Sequence, residues 1–193
     1  MPDGDNGLWA LIREDFVAQG SGWTLPGWHA MVVYRIGVWA RDRRGIGARL
    51  LHMAYRVVNS VLIRNFYGIE LYDTTVVGRR LKIGHHMGVI LGADAIIGDD
   101  VVVLHNVTIG KGREEDEGRP RIGNRVEIGT GAMILGSVVV GDDARIGPGA
   151  IVVKDVPAGA VAMASPARIL KPAVPAESAG GADQADQETD TPT

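Results

Sequence analysis

From Leu71 onward, aliphatic side chains in this chain of 193 residues recur every six positions. They fall at Leu71, Val77 and Ile83, at Leu91, Ile97, Val103 and Ile109, and at Ile122, Ile128, Ile134, Val140, Ile146 and Val152. Nine of these thirteen are followed directly by glycine, and a second small or aliphatic residue recurs four places on, as at Leu81, Ala95, Val101, Val126 and Ala144. A helix repeats its faces about every 3.6 residues and an ordinary strand about every 2, so neither accommodates this rhythm. A left-handed parallel β-helix does: each hexad supplies one short strand and one corner, and three hexads, about eighteen residues, close a triangular coil. Aliphatic side chains then stack inside the prism while glycine permits the tight corners. The composition agrees, with 27 glycines and only 5% aromatic residues, and glycine does not stand at every third position as collagen requires.

The rhythm breaks twice. Ile83 to Leu91 spans eight residues, adding two at the turn that holds His85, His86 and Met87. Ile109 to Ile122 spans thirteen, which makes Arg113 to Arg119 a projecting loop. Such interruptions mark places where something other than stacking is needed. Residues 1–68 read as a helical region: Leu8, Leu11, Ile12 and Phe16 share one face, Trp28 to Trp39 forms an amphipathic segment, and Leu50, Leu51, Ala54, Val57, Val58, Val61 and Leu62 share another face. Residues 69–171 form the β-helix domain, and 172–193, rich in Pro, Ala, Gly and acids, form a disordered acidic tail.

The tail alone carries five acids and no base, so without it the formal charge of −3 becomes +2. A nearly neutral body gives no ground for a nucleic-acid partner, and small-molecule chemistry is the better expectation. The absence of cysteine removes disulfides, thiolate metal sites and a cysteine nucleophile. No apolar run approaches the ~20 residues of a membrane span, and the N-terminus has no secretory pattern, which places the chain in the cytoplasm, away from membranes.

Of the five histidines, His29 and His52 lie in helical contexts and read as structural. His85 stands two after Ile83 and His105 two after Val103, three hexads later, so they project near one edge of the prism, one layer apart. A catalytic imidazole also needs an acceptor for its second nitrogen. Glu70, fifteen residues before His85, lies a little less than one coil below it. In that arrangement His85 removes the proton from a substrate hydroxyl as it attacks a thioester, and Glu70 orients the imidazole. The spacing leaves open whether His85 or His86 is the base.

Several segments resemble the serine O-acetyltransferases, within the hexapeptide-repeat acyltransferases. They are Gly27-Trp28-His29-Ala30 through Tyr34-Arg35-Ile36-Gly37 and Trp39, Ile69-Glu70-Leu71, His85 followed by Gly88-Val89-Ile90, Asn106 to Gly110, Ile128 to Ala132, and Pro166-Ala167-Arg168. The resemblance implies transfer of acetyl from acetyl-CoA to L-serine without a metal, with His85 as base and Glu70, where many relatives have Asp, completing the dyad. It also implies a homotrimer, or a dimer of trimers, with sites between subunits. Acetyl-CoA would be contacted by backbone at Gly110 and Ala132 and by Lys111 or Arg168, and the acceptor by His105, His86 and Arg119. The chain departs from the family at Gly84, where Asp usually precedes the histidine, and at Arg119, where His precedes Pro. Arg119 suits a substrate carboxylate. The Asp-Pro-Ala element is lacking, and a last residue Thr193, not Ile, argues against a stable complex with a sulfhydrylase. Three other readings are an O-acetyltransferase for sugars, polysaccharide precursors or specialised metabolites; a γ-type carbonic anhydrase, which needs two histidines five apart and finds none; and a non-catalytic trimeric scaffold.

Overall fold

The computed structural model describes residues 5–112 and 118–166. Three helices come first: α1 (Asp5–Ala18), α2 (Pro26–Arg41) and α3 (Ile46–Val58), the last continuing into a π-helix over Asn59–Phe66. Short parallel strands then wind into a prism with three sheets. Sheet A contains Ile69–Leu71, Val89–Leu91, Thr108–Gly110, Met133–Leu135 and Ile151–Val152. Sheet B contains Val76–Val77, Ile96–Ile97, Arg121–Ile122 and Val139–Val140. Sheet C contains Lys82–Ile83, Val102–Val103, Glu127–Ile128, Arg145–Ile146 and Val161–Ala162.

All thirteen residues of the six-residue rhythm are buried, as are Leu81, Ala95, Val101, Val126 and Ala144. They form one continuous core, in which Ile83 lies under Val103 and Val103 under Ile128. The Ile83–Val103 step takes twenty residues and the Ile128–Ile146 step eighteen, so the longer coil has absorbed the two extra residues. The second interruption falls between sheets A and B. Residues 113–117 of the predicted loop lie outside the described residues, as does the predicted tail.

A parallel β-helix exposes unpaired backbone at its first coil, which is costly when buried and sticky when not. The helices satisfy these groups sheet by sheet. On sheet C, Gln19 donates to the Leu81 carbonyl (2.9 Å) and accepts from the Ile83 N–H (3.2 Å). On sheet B, the Tyr34 hydroxyl accepts from the Val77 N–H (3.2 Å), while Arg35 donates to the carbonyls of Val77 (2.9 Å) and Gly78. On sheet A, Asn59 donates to the Leu71 carbonyl (3.1 Å). Met31, Tyr34, Val38 and Ile63 join the same core and plug the open end of the prism at its first coil.

The face predicted for the third helix turns outward. Tyr55 alone of α3, and Ile63 beyond it, are buried, whereas Leu50, Leu51, Ala54, Val57, Val58, Val61 and Leu62 are exposed. The burying side is set by Gly37 of α2: a Cβ there would stand 2.4 Å from the Tyr55 ring, so the glycine is what lets the two helices close. Gly37→Ala is expected to lower stability by ~1–3 kcal/mol through overpacking, despite alanine's better helix propensity. A fall in the urea midpoint with an unchanged slope is the corresponding measurement.

Candidate active site

Where sheet C passes to sheet A, successive coils make the same turn. Asn106 donates its N–H to the Met87 carbonyl (2.9 Å), Gly131 to that of His105 (3.0 Å) and Gly149 to that of Thr130 (2.8 Å). Met87, His105, Thr130 and Pro148 therefore stack in one column. The next column is Gly88, Asn106, Gly131 and Gly149, all with positive φ. The two residues by which the first coil exceeds this pattern are His85 and His86. Having no ladder partner, they bulge, and His85 takes φ 55°, a conformation histidine tolerates better than most residues.

The sequence register put His85 and His105 near one edge of the prism, one layer apart, and the hydrogen-bond ladder sets Met87 directly beneath His105. The two histidine rings meet at that edge. His85 is exposed and stands edge-on to His105, with centroids 5.8 Å apart and planes at 88°. The His105 Nδ1 lies 3.5 Å from the Thr130 hydroxyl, the next residue in its column. His86 turns the other way, half-buried with its ring 5.8 Å from that of Tyr67. Burial lowers its pKa from the ordinary value, so the neutral form is favoured at pH 7. A base whose folded-state pKa is depressed contributes stability above its unfolded pKa and loses it as pH falls. His86→Gln is therefore expected to flatten the decline in Tm below about pH 6.5, as thermal melts across pH would show.

His29 and His52 are tied down structurally. His29 bonds the Tyr67 hydroxyl (2.9 Å) and the Trp23 carbonyl (2.7 Å), and His52 bonds Asp73 (2.9 Å). Glu70 projects from the outer face of sheet A and accepts a hydrogen bond from the Tyr72 hydroxyl. It opens onto a cavity of about 580 Å³ shared with His52, Arg56, Arg64 and Asp73. Among the described residues no hydrogen bond joins Glu70 to His85.

The remaining candidates lie elsewhere. Gly110 ends its strand of sheet A, and the exposed Lys111 and Arg119 follow at the corner toward sheet B. His105 and Lys111 thus flank the same strand from opposite edges, up to ~20 Å apart along the chain. Ala132 is buried in the prism; its N–H goes to the Gly129 carbonyl and its carbonyl accepts from the Thr108 N–H. Arg168 lies outside the described residues. The chain therefore brings together His85, His86 and His105 but not Arg119 or Lys111. A groove of about 420 Å³ with mainly apolar walls, including Leu104, Gly129, Pro148 and Met163, approaches the histidine corner over sheet C. No group of three or more His, Asp or Glu gathers into a metal cage among the described residues. None of their helices is long and apolar enough to cross a membrane.

Two neighbours of the candidate residues escaped the sequence reading. Thr130 was legible, since it occupies the position of His105 one coil later. Tyr72 was legible as the residue two beyond Glu70, just past the end of the same strand.

Comparison with known proteins agrees with this architecture. Residues 119–154 match the family model described as bacterial transferase hexapeptide (six repeats). The chain is 37% identical over 146 residues to the serine acetyltransferase of Helicobacter pylori, covering 74% of this chain and 81% of that one. It is 39% identical over 118 residues to that of Mycobacterium tuberculosis, where it spans 48% of the longer protein. Among solved structures, soybean serine acetyltransferase superposes with a TM-score of 0.68 at 30% identity, over 86% of this chain and 70% of that one. Isoform 3 from Entamoeba histolytica, solved in complex with cysteine, gives 0.69 at 26% identity, over 86% of this chain and 62% of that one. The extent of the Helicobacter match, taken with the helix-capped prism and its histidine corner, shows that this chain belongs to the serine acetyltransferase family.

Proposed function

We propose that this chain transfers the acetyl group of acetyl-CoA to the hydroxyl of L-serine, with His85 as the general base. The observation that carries the reading is the two-residue bulge at one corner of an otherwise regular coil, which holds an exposed imidazole beside a second one. Neutral His85 takes the serine hydroxyl proton as the oxygen attacks the thioester carbonyl. The C–S bond then breaks, and the imidazolium returns the proton to the departing thiolate. O-acetylserine and CoA are released, and His85 is neutral again. His105, edge-on to His85 and near Thr130, keeps that ring from folding back and offers a polar wall to the acceptor, while His86 lines the inner side of the corner.

Glu70 is the proposed orienting carboxylate. In this role it exchanges the Tyr72 hydroxyl for the second nitrogen of His85. Arg119, Gly110 and Lys111 lie at the far edge of sheet A, so the reading requires a neighbouring copy to bring its own set against the histidine corner. A homotrimer, alone or paired, supplies such a neighbour. Arg119 then clamps the serine carboxylate, and Gly110, Lys111, Ala132 and Arg168 border the acetyl-CoA groove. The reading places the chain in the cytoplasm. The soybean enzyme of this family has been solved complexed with serine, which supports an amino-acid acceptor.

The test is thiol release from acetyl-CoA with L-serine, homoserine and a panel of sugars. The chain contributes no cysteine background to a thiol reagent. Turnover with L-serine well above every other acceptor is expected. A sugar as best acceptor would replace the serine reading with its polysaccharide-directed alternative, and no turnover with any acceptor would end both.

A further inference from the structure

Two adjacent histidines share the bulge, and only one of them faces solvent. Gly84 donates its N–H to the Val103 carbonyl (2.8 Å) and the Met87 carbonyl accepts from the Asn106 N–H (2.9 Å), but among the described residues no ladder bond holds His85 or His86 between them. His85 is exposed at the edge of His105, whereas His86 is half-buried against Tyr67. Without ladder bonds, what distinguishes this arrangement from the exchanged one is the seat that receives the inner ring.

The helical region builds that seat. Tyr67 stands immediately after the π-helix. Its ring is edge-on to His86, with centroids 5.8 Å apart and planes at 76°, and stacked on His29, at 5.7 Å and 24°. His29, in the first turn of α2, is engaged at both nitrogens. A carbonyl oxygen can only accept, so the neutral ring donates from Nε2 to Trp23 (2.7 Å), and Nδ1 is left to accept from the Tyr67 hydroxyl (2.9 Å). Trp23 is itself held between Phe16 of α1 and Trp28 of α2, with ring centroids 4.7 and 5.1 Å away. The plane of the Tyr67 ring is thus set from α1 and α2.

The same helices bracket the bulge. At its entrance, Gln19 accepts from the Ile83 N–H (3.2 Å), and a Cβ on Gly27 would stand 2.9 Å from the Ile83 carbonyl oxygen. At its exit, Gly88 donates to the carbonyl of Gly68, the residue after Tyr67 (3.0 Å). We infer that Tyr67, oriented by His29, is a positioning residue that seats His86 and so decides which of the two histidines is presented at the corner. The kinetic consequence rests on His85 being the base, whereas the seating is read without any reaction.

Tyr67→Leu should lower kcat for serine acetylation about tenfold, the scale of a modestly misplaced catalytic group, with KM for acetyl-CoA little changed. Tyr67→Phe should recover part of that loss, since the ring remains but the bond that fixes its plane is gone. His86→Ala alone should cost about as much as Tyr67→Leu, and adding Tyr67→Leu to it should cost nothing further, because the effect passes through that ring. A general loosening of the fold would make the two losses multiply, and that result overturns the inference. Imidazole NMR of the full chain without substrate should show His29 protonated on Nε2, a His86 ring signal displaced in Tyr67→Leu, and a shifted His29 Nδ1 signal in Tyr67→Phe. An unmoved His86 signal in Tyr67→Leu overturns the inference whatever the kinetics. If the spectra behave as expected and His85→Ala keeps full activity, it is the base assignment that has failed and not the seat.

Discussion

His85→Ala is expected to lower kcat for acetyl transfer by about a hundredfold or more, the usual scale of a positioned general base. KM for acetyl-CoA should change little, because the loss falls on proton removal in the transition state and not on thioester binding. The fold should persist: the ring is exposed, and its only described contact is the edge of His105. His86→Ala provides the comparison, since that ring packs against Tyr67 instead. Kinetics of the two variants at saturating serine decide the assignment. If His86→Ala suffers the large loss and His85→Ala does not, the base has been placed on the wrong side of the bulge.

Arg35→Leu is expected to destabilise the protein by ~3–5 kcal/mol, the scale for removing one partner of a buried ion pair. Arg35 and Asp15 are both almost wholly buried and lie 2.8 Å apart. The same guanidinium also caps two carbonyls of the first coil, at Val77 and Gly78. Leucine fills much of the volume but leaves a buried carboxylate without its cation and those carbonyls without a donor. Burial already raises the Asp15 pKa even with Arg35 present, and without it the rise is larger. An acid whose pKa is raised by folding favours the folded state as it protonates, so the variant should recover stability as pH falls toward the ordinary aspartate range. Urea titrations of both proteins at neutral and acidic pH test this. A difference that does not narrow on acidification would mean the lost carbonyl caps, not the stranded charge, dominate.

The candidate site was legible only in part, and the reason lies in what a repeat can encode. Counting six residues at a time locates His85 and His105 at one corner, because regular coils stack equivalent positions. The count also shows two extra residues at that turn but not how they are placed: no ladder bond fixes His85 and His86, and Met87 is the residue that stacks under His105. Glu70 shows a similar limit. Its separation from His85 allows contact, yet its carboxylate meets Tyr72, a choice made by side-chain rotation that no spacing reports. Arg119 and Lys111 follow His105 closely in sequence but occupy the other edge of sheet A, since one short strand carries the chain across a whole face of the prism.

Which side chains fill the prism followed from the amino-acid order alone: every one of the thirteen periodic aliphatics is buried, because a coil that repeats every three hexads returns the same position to the axis. The outward turn of α3 did not follow from that order. Its apolar residues outnumber its polar ones on the predicted face, and hydrophobicity by itself would bury them. Tertiary packing decided otherwise, because the close approach at Gly37 admits Tyr55, and a rigid helix that commits one face to α2 must present the opposite one to solvent or to another chain.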